Sequence, residues 1–175
     1  MQINVKTENN AQTGLAFELE IDVIIADQRW LEKMDEADLN KLIRKAVLNA
    51  IEIANPAISG PGEISIVLSN DAHVQELNMQ WRQIDKPTNV LSFSQIEPFA
   101  PLAGILGDII LSLETLENEA KNNQLAFSDH LSHLIVHGFV HILGYDHQND
   151  KEADEMESLE IKILSNLRIA NPYAD

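Results

Sequence analysis

The stretch SDHLSHLIVHGFVHILGYDH, Ser128 to His147, gathers five of the chain's six histidines into twenty residues. Ser128 suits an N-cap with Asp129 in the first turn, and Gly144 stands where a glycine closes a helix in the left-handed conformation. The spacing predicts a helix from about Asp129 to Leu143. Leu131, Leu134, Ile135, Val136, Phe139, Val140, Ile142 and Leu143 cover most of its circumference, the pattern of a helix packed on nearly all sides. It is expected to be the central core element.

On that helix His137 and His141 are four residues apart, so their rings project from one face about one turn, roughly 5.4 to 6 Å, apart along the axis. His147 follows the glycine turn and is free to fold back and supply a third nitrogen. A lone histidine on an apolar helix is ordinarily a hydrogen-bonded core residue. Three at ligand spacing around a helix-ending glycine point instead to one zinc-type ion held by His137, His141 and His147. The spacing is that of the metzincin peptidases, H-E-x-x-H-x-x-G-x-x-H, except that Gly138 occupies the place of the glutamate those enzymes use as general base. The metal geometry is expected without the peptidase chemistry. His133 shares the face but lies eight residues from His141, roughly 12 Å along the axis, so it is read as a structural or supporting residue. His130 and His73 are read as surface or packing residues.

A length of 175 residues, 45% apolar and 23% charged, suits one domain, and we place a polar leader at 1–14 and a single domain at 15–175. With no cysteine, any metal must be held by nitrogen and oxygen. No apolar run approaches the roughly 18 to 20 residues of a membrane span, and the first residues carry no signal pattern, so a soluble, cytoplasmic protein is expected. Twelve Lys and Arg against twenty-eight Asp and Glu give a formal charge of −16, which argues against broad attraction to nucleic acid. A nucleic-acid substrate would need a local basic patch.

Residues 1–14 read as a short strand or a loose leader. Leu15 to Ile25 is the first expected strand, followed by a helix from about Glu36 to Ala54 capped by Asp35. Glu63 to Ser69 alternates as a second strand, making a βαβ unit with parallel strands. Asn70 caps a helix through about Trp81, and strands are expected at Thr88 to Ser94 and Leu106 to Ser112 with an exposed loop between them up to Gly104. Helices follow at Leu113 to Gln124, at the histidine stretch, and at Lys151 to about Leu167. The acids Asp150, Glu152, Asp154, Glu155 and Glu157 of the last helix read as a solvated face. The expected fold is α+β: a small mixed four-stranded sheet packed with about five helices around the histidine-bearing one.

Arg82, Asp85, Lys86, Thr88 and Asn89 form one of the few gatherings of basic residues in this acidic chain. Composition alone explains them as turn chemistry. An arginine near a three-histidine ion is also the equipment for holding a phosphate. RQIDKPTNVLSF (82–93), LGDIILS (106–112) and HGFVHILGYDH (137–147), in that order, resemble the YbeY endoribonucleases, also described as bacterial ribosomal-RNA maturation factors. The likeness runs from about Leu39 to the C-terminus and includes EADEME (152–157), while Ser94 stands where many members have proline. The resemblance implies a metal-dependent, single-strand-specific endoribonuclease acting on ribosomal RNA precursors, notably at the 3′ end of the 16S species, and in ribosome quality control. It implies zinc as the metal, the ribosome or its small subunit as partner, and catalytic roles for Arg82, His137, His141 and His147. Two other readings stand beside it: a metzincin-like metallopeptidase, against which Gly138 weighs, and a non-catalytic ribosome-assembly protein with a structural zinc. An open fourth coordination position beside a cleft containing Arg82 favours catalysis. The oligomeric state is left open.

Overall fold

The apolar–polar alternation of ELEIDVII and EISIVLS calls for two strands with one face in the core. The computed structural model, which describes residues 2–6 and 17–174, has both within a five-stranded mixed sheet. The strands are β1 (Gln2–Lys6), β2 (Glu18–Ile25), β3 (Ile58–Ser69), β4 (Val90–Ser94) and β5 (Leu102–Ser112), in spatial order β1-β2-β3-β5-β4. The inner three are parallel, and β1 and β4 close the two edges antiparallel to their neighbours. Five helices pack with it: α1 (Glu36–Ala54), α2 (Asp71–Arg82), α3 (Leu113–Asn122), α4 (Phe127–Ile142) and α5 (Asp150–Asn166). The α+β architecture with its parallel β2–α1–β3 unit is as expected. β1 adds a fifth, edge strand to the four expected ones, from the segment that the sequence leaves between strand and leader. Residues 7–16, including the start of the first expected strand, lie outside the described residues.

Two other boundaries differ for physical reasons. The segment before Gly104, expected as exposed loop, begins β5 instead, because Leu102 pairs with Ile58 and is fully buried. β4 starts at Val90 rather than Thr88, since the Asn89 side chain turns back to accept from the Val90 N–H at 2.7 Å and ends the preceding loop. At the β2–α1 connection Trp30, fully buried, donates its indole N–H to the Ser69 carbonyl at 2.8 Å and ties that connection to the end of β3.

α4 starts at Phe127, one turn-position before the expected Ser128 cap, and Ala126 is the capping residue with no side-chain bond. Tertiary packing overrides capping chemistry here: the Phe127 ring meets the buried Trp30 edge-on at 5.9 Å, drawing Phe127 into the first turn. The helix is buried as the sequence demands. Leu131, Ile135, Val136, Phe139, Val140 and Ile142 are all fully inaccessible, held among α1, α3, α5 and the sheet. Among the described residues no helix is long and apolar enough to cross a membrane.

Truncating this helix's core contacts should therefore be costly. Leu134→Ala and Ile135→Ala, at positions 3% and 0% exposed, are each expected to destabilise by about 2 to 5 kcal/mol. Denaturant unfolding measures this, and a change below about 0.5 kcal/mol at both sites would contradict the packing described.

Candidate metal centre

The one strip of α4 that is not sealed by apolar neighbours carries His133, His137 and His141 at four-residue steps. A carbonyl oxygen only accepts, so Nδ1 of His141, 3.0 Å from the Tyr145 carbonyl, carries its ring proton and donates there. Nδ1 of His137 donates to the Glu160 carboxylate at 2.8 Å. With both Nδ1 atoms committed, the two Nε2 lone pairs face each other at 3.1 Å. Two acceptors so placed repel unless a cation lies between them. A tetrahedral ion with metal–nitrogen bonds of ~2.0–2.1 Å holds its nitrogens roughly 3.3 Å apart, so the pair is spaced for such an ion. His147 joins them, its ring 5.6 Å from His137 and 5.0 Å from His141, and one nitrogen from each of the three lies within 4.8 Å of the others. The sequence-predicted trio is thus brought together in a cluster that can hold a metal. Burial, and then the neighbouring His137, lower the pKa of His141 against the opposing pull of the Tyr145 carbonyl. That keeps the ring neutral, as a ligand must be.

The turn that returns His147 depends on Gly144. Its φ is +107°, and a Cβ there would stand 2.6 Å from Pro98 Cα and 2.8 Å from Phe99 N. The same turn brings the Tyr145 carbonyl over His141. Gly138 has a different reason to lack a side chain: α4 lies so close to the sheet that a Cβ would meet Ile109 Cγ2 at 2.9 Å and Ser92 Oγ at 3.0 Å. The position where a metzincin carries its glutamate faces packed sheet and has no room for one.

Glu160 is the residue that the sequence reading missed. It sits fully buried on the apolar face of α5, in line with Met156, Ile163 and Leu164. An acid inside an apolar stripe was the available signal. Its carboxylate accepts from His137, from His133 Nε2 at 3.3 Å and from the Tyr173 hydroxyl. Burial pushes its pKa up, but the hydrogen bonds from His133 and His137 outweigh that and hold it down at about 2. His133 therefore supports the site through Glu160, in keeping with its expected role. Tyr173 had no sequence signal; burial and then its bond to Glu160 raise its pKa. His130, expected at the surface or in packing, is 7% exposed and paired with Glu119 at 2.8 Å. His73 binds the Ser69 hydroxyl at 2.7 Å, away from the cluster.

The three histidines open into a cleft of about 750 Å³ whose lining also includes Trp81, Arg82, Thr88 and Asn89. Arg82 is the last residue of α2, exposed, and the chain turns sharply after it because Gln83 adopts a left-handed conformation. Among the described residues the Arg82 side chain has no hydrogen-bond or ion-pair partner. The rest of its sequence cluster divides: Asn89 is committed to Glu119 at 2.9 Å, while Asp85 accepts from Gln75 and the Lys86 carbonyl from Asn78, both at 2.8 Å. Turn chemistry accounts for Asp85 and Lys86 and leaves Arg82 unexplained.

The family model described as Endoribonuclease YbeY matches residues 14–168 of the chain. The Endoribonuclease YbeY of Bradyrhizobium sp. strain BTAi1 is 46% identical to it over 159 residues, covering 88% of this chain and 92% of that protein. The Endoribonuclease YbeY of Allorhizobium ampelinum is 41% identical over 162 residues, covering 89% and 95% respectively.

The carboxylate behind His137 should govern metal affinity. Glu160→Gln keeps an acceptor but removes the charge, and a loss of about 10- to 100-fold in affinity is expected, the usual effect of removing a ligand's hydrogen-bonded carboxylate. Competition against a chromogenic chelator measures it. His137→Ala with His141→Ala should abolish metal content altogether, and retention of metal by that double variant would overturn the ligand assignment.

Proposed function

Because the chain belongs to the endoribonuclease YbeY family, we propose that it is a metal-dependent endoribonuclease that cleaves single-stranded RNA, acting on ribosomal RNA precursors at the 3′ end of the 16S species and in ribosome quality control. The observation that carries this reading is that Arg82 lines the same cleft as the histidine trio, in a chain of net charge −16. A guanidinium beside three clustered histidines is equipped to hold an anionic ligand such as a phosphate. Residues 15–175 serve as one catalytic domain, the ribosome or its small subunit is the partner, and the substrate implies the cytoplasm.

We take the metal to be zinc, since three imidazoles without a thiolate suit it. When bound, it supplies Lewis acidity at neutral pH. The protein's own groups do the remainder. Arg82 grips the non-bridging oxygens of the scissile phosphate through its planar fork and stabilises the charge that grows on them. Glu160 and the Tyr145 carbonyl lock the tautomers of His137 and His141, so that no ring reorients during reaction. The peptidase alternative finds no support, because the space its base would need is filled by Ile109 and Ser92. A purely structural metal finds none either, since a fold staple has no use for an open cleft lined by an arginine.

Single-turnover cleavage of an unstructured RNA tests this. Arg82→Ala is expected to lose a hundredfold or more in rate, roughly 2.7 kcal/mol, with metal content unchanged and stability within about 0.5 kcal/mol. Arg82→Lys should recover only part, keeping the charge without the fork. Wild-type cleavage by folded, metal-loaded Arg82→Ala would remove the phosphate-binding role.

A further inference from the structure

A strongly acidic nuclease must hold its polyanionic substrate by something other than a basic surface. The wall of the cleft beside Arg82 offers it. Trp81, immediately before Arg82 on α2, is 63% exposed and lines the cleft. A tryptophan left this open forfeits much of the hydrophobic gain of burying it. It stands 6.1 Å from the Phe93 ring of β4, tilted 59° to it. It also borders a second depression of about 460 Å³, lined by Val67, Leu77, Phe93 and Ile110 with Asp108 among them. Trp81, Phe93 and Ser94 border both spaces, so the depression adjoins the cleft.

Charge decides which part of a nucleotide belongs on which side. Arg82 faces the cleft and attracts a phosphate. The depression has no cation in its lining and does have Asp108, whose carboxylate accepts only a weak bond from Gln95 at 3.3 Å. A phosphate is repelled there, whereas an aromatic base finds apolar walls and a ring to lie on. In a duplex both faces of a base are occupied by its neighbours, so only an unpaired base can use such a ring.

Resting on the RNA-cleavage reading above, we infer that Trp81 stacks an unpaired base next to the phosphate held by Arg82, and that the apolar depression beyond is the subsite into which this base turns. Trp81 is then a specificity-determining residue that rejects double-stranded RNA.

The test uses the metal-loaded protein and a short fluorescently labelled single-stranded RNA with one scissile bond, under single-turnover conditions. For Trp81→Ala the concentration giving half-maximal rate should rise roughly 5- to 150-fold, the equivalent of one lost base–aromatic stack, with a smaller change in maximal rate. Trp81→Phe should restore most of it, which a merely structural role would not require. A second arm replaces each nucleotide flanking the scissile bond in turn by an abasic one. At one of these positions the wild type should weaken by the same factor, and Trp81→Ala should lose nothing further. Because Trp30 is fully buried, quenching of tryptophan emission on rapid mixing with the RNA reports Trp81 alone. If wild-type and Trp81→Ala proteins cleave with equal half-saturation, or lose equally on every abasic RNA, the stacking role is refuted while RNA cleavage stands. If the wild type cleaves no RNA, the functional reading falls and this inference with it.

Discussion

A charged carboxylate sealed in an apolar seam sets the terms for the rest of the site. Left without partners in the interior, such a group costs several kcal/mol. Glu160 is fully buried, and its offset comes from His133, His137 and Tyr173, two turns of α4 and the C-terminal segment. The acid therefore ties α5 and the chain end to α4 at one point. It also fixes which nitrogen of His137 is free. Packing and ligand geometry are one arrangement here, because the hydrogen bonds that make the buried charge tolerable are those that aim the ring.

The centre of the fold was legible in the sequence because its signals are local. Apolar residues around a whole helix can only mean burial, and His137, His141, Gly144 and His147 have a spacing that few structures other than a metal site explain. The supporting shell was less so. Glu160 is far from the histidines in sequence and shares α5 with solvated acids; only its place in the Met156, Ile163, Leu164 stripe marks it. Tyr173 reaches Glu160 from beyond α5 and leaves no periodic trace. The start of α4 was misplaced for the opposite reason: Ser128 is a good local cap, and the Trp30–Phe127 contact that overrides it is long-range. Likewise β1 alternates as QINVK, but five residues beside a polar stretch leave strand and leader equally open.

The sheet places the chemistry through its edge. β4 is short and outermost, and it lies under α4 beside the cleft. That close approach is possible because Gly138 presents no side chain to Ile109 and Ser92. The same glycine explains why a helix with peptidase-like histidine spacing carries no peptidase base. Arg82 and Trp81 reach the cleft from the last turn of α2, where the left-handed Gln83 sends the chain off toward β4.

That Glu160 and Tyr173 follow the α4 histidines in the sequence has a consequence for biosynthesis. Translation releases β2, β3, β5 and α4 first, and domains begin to organise from the N-terminal side as they emerge. The histidine pair on α4 is made first, and the acid that orients His137 belongs to α5, which leaves the ribosome after it. A nascent chain that has released α4 but not α5 thus holds the histidines without the carboxylate that aims His137.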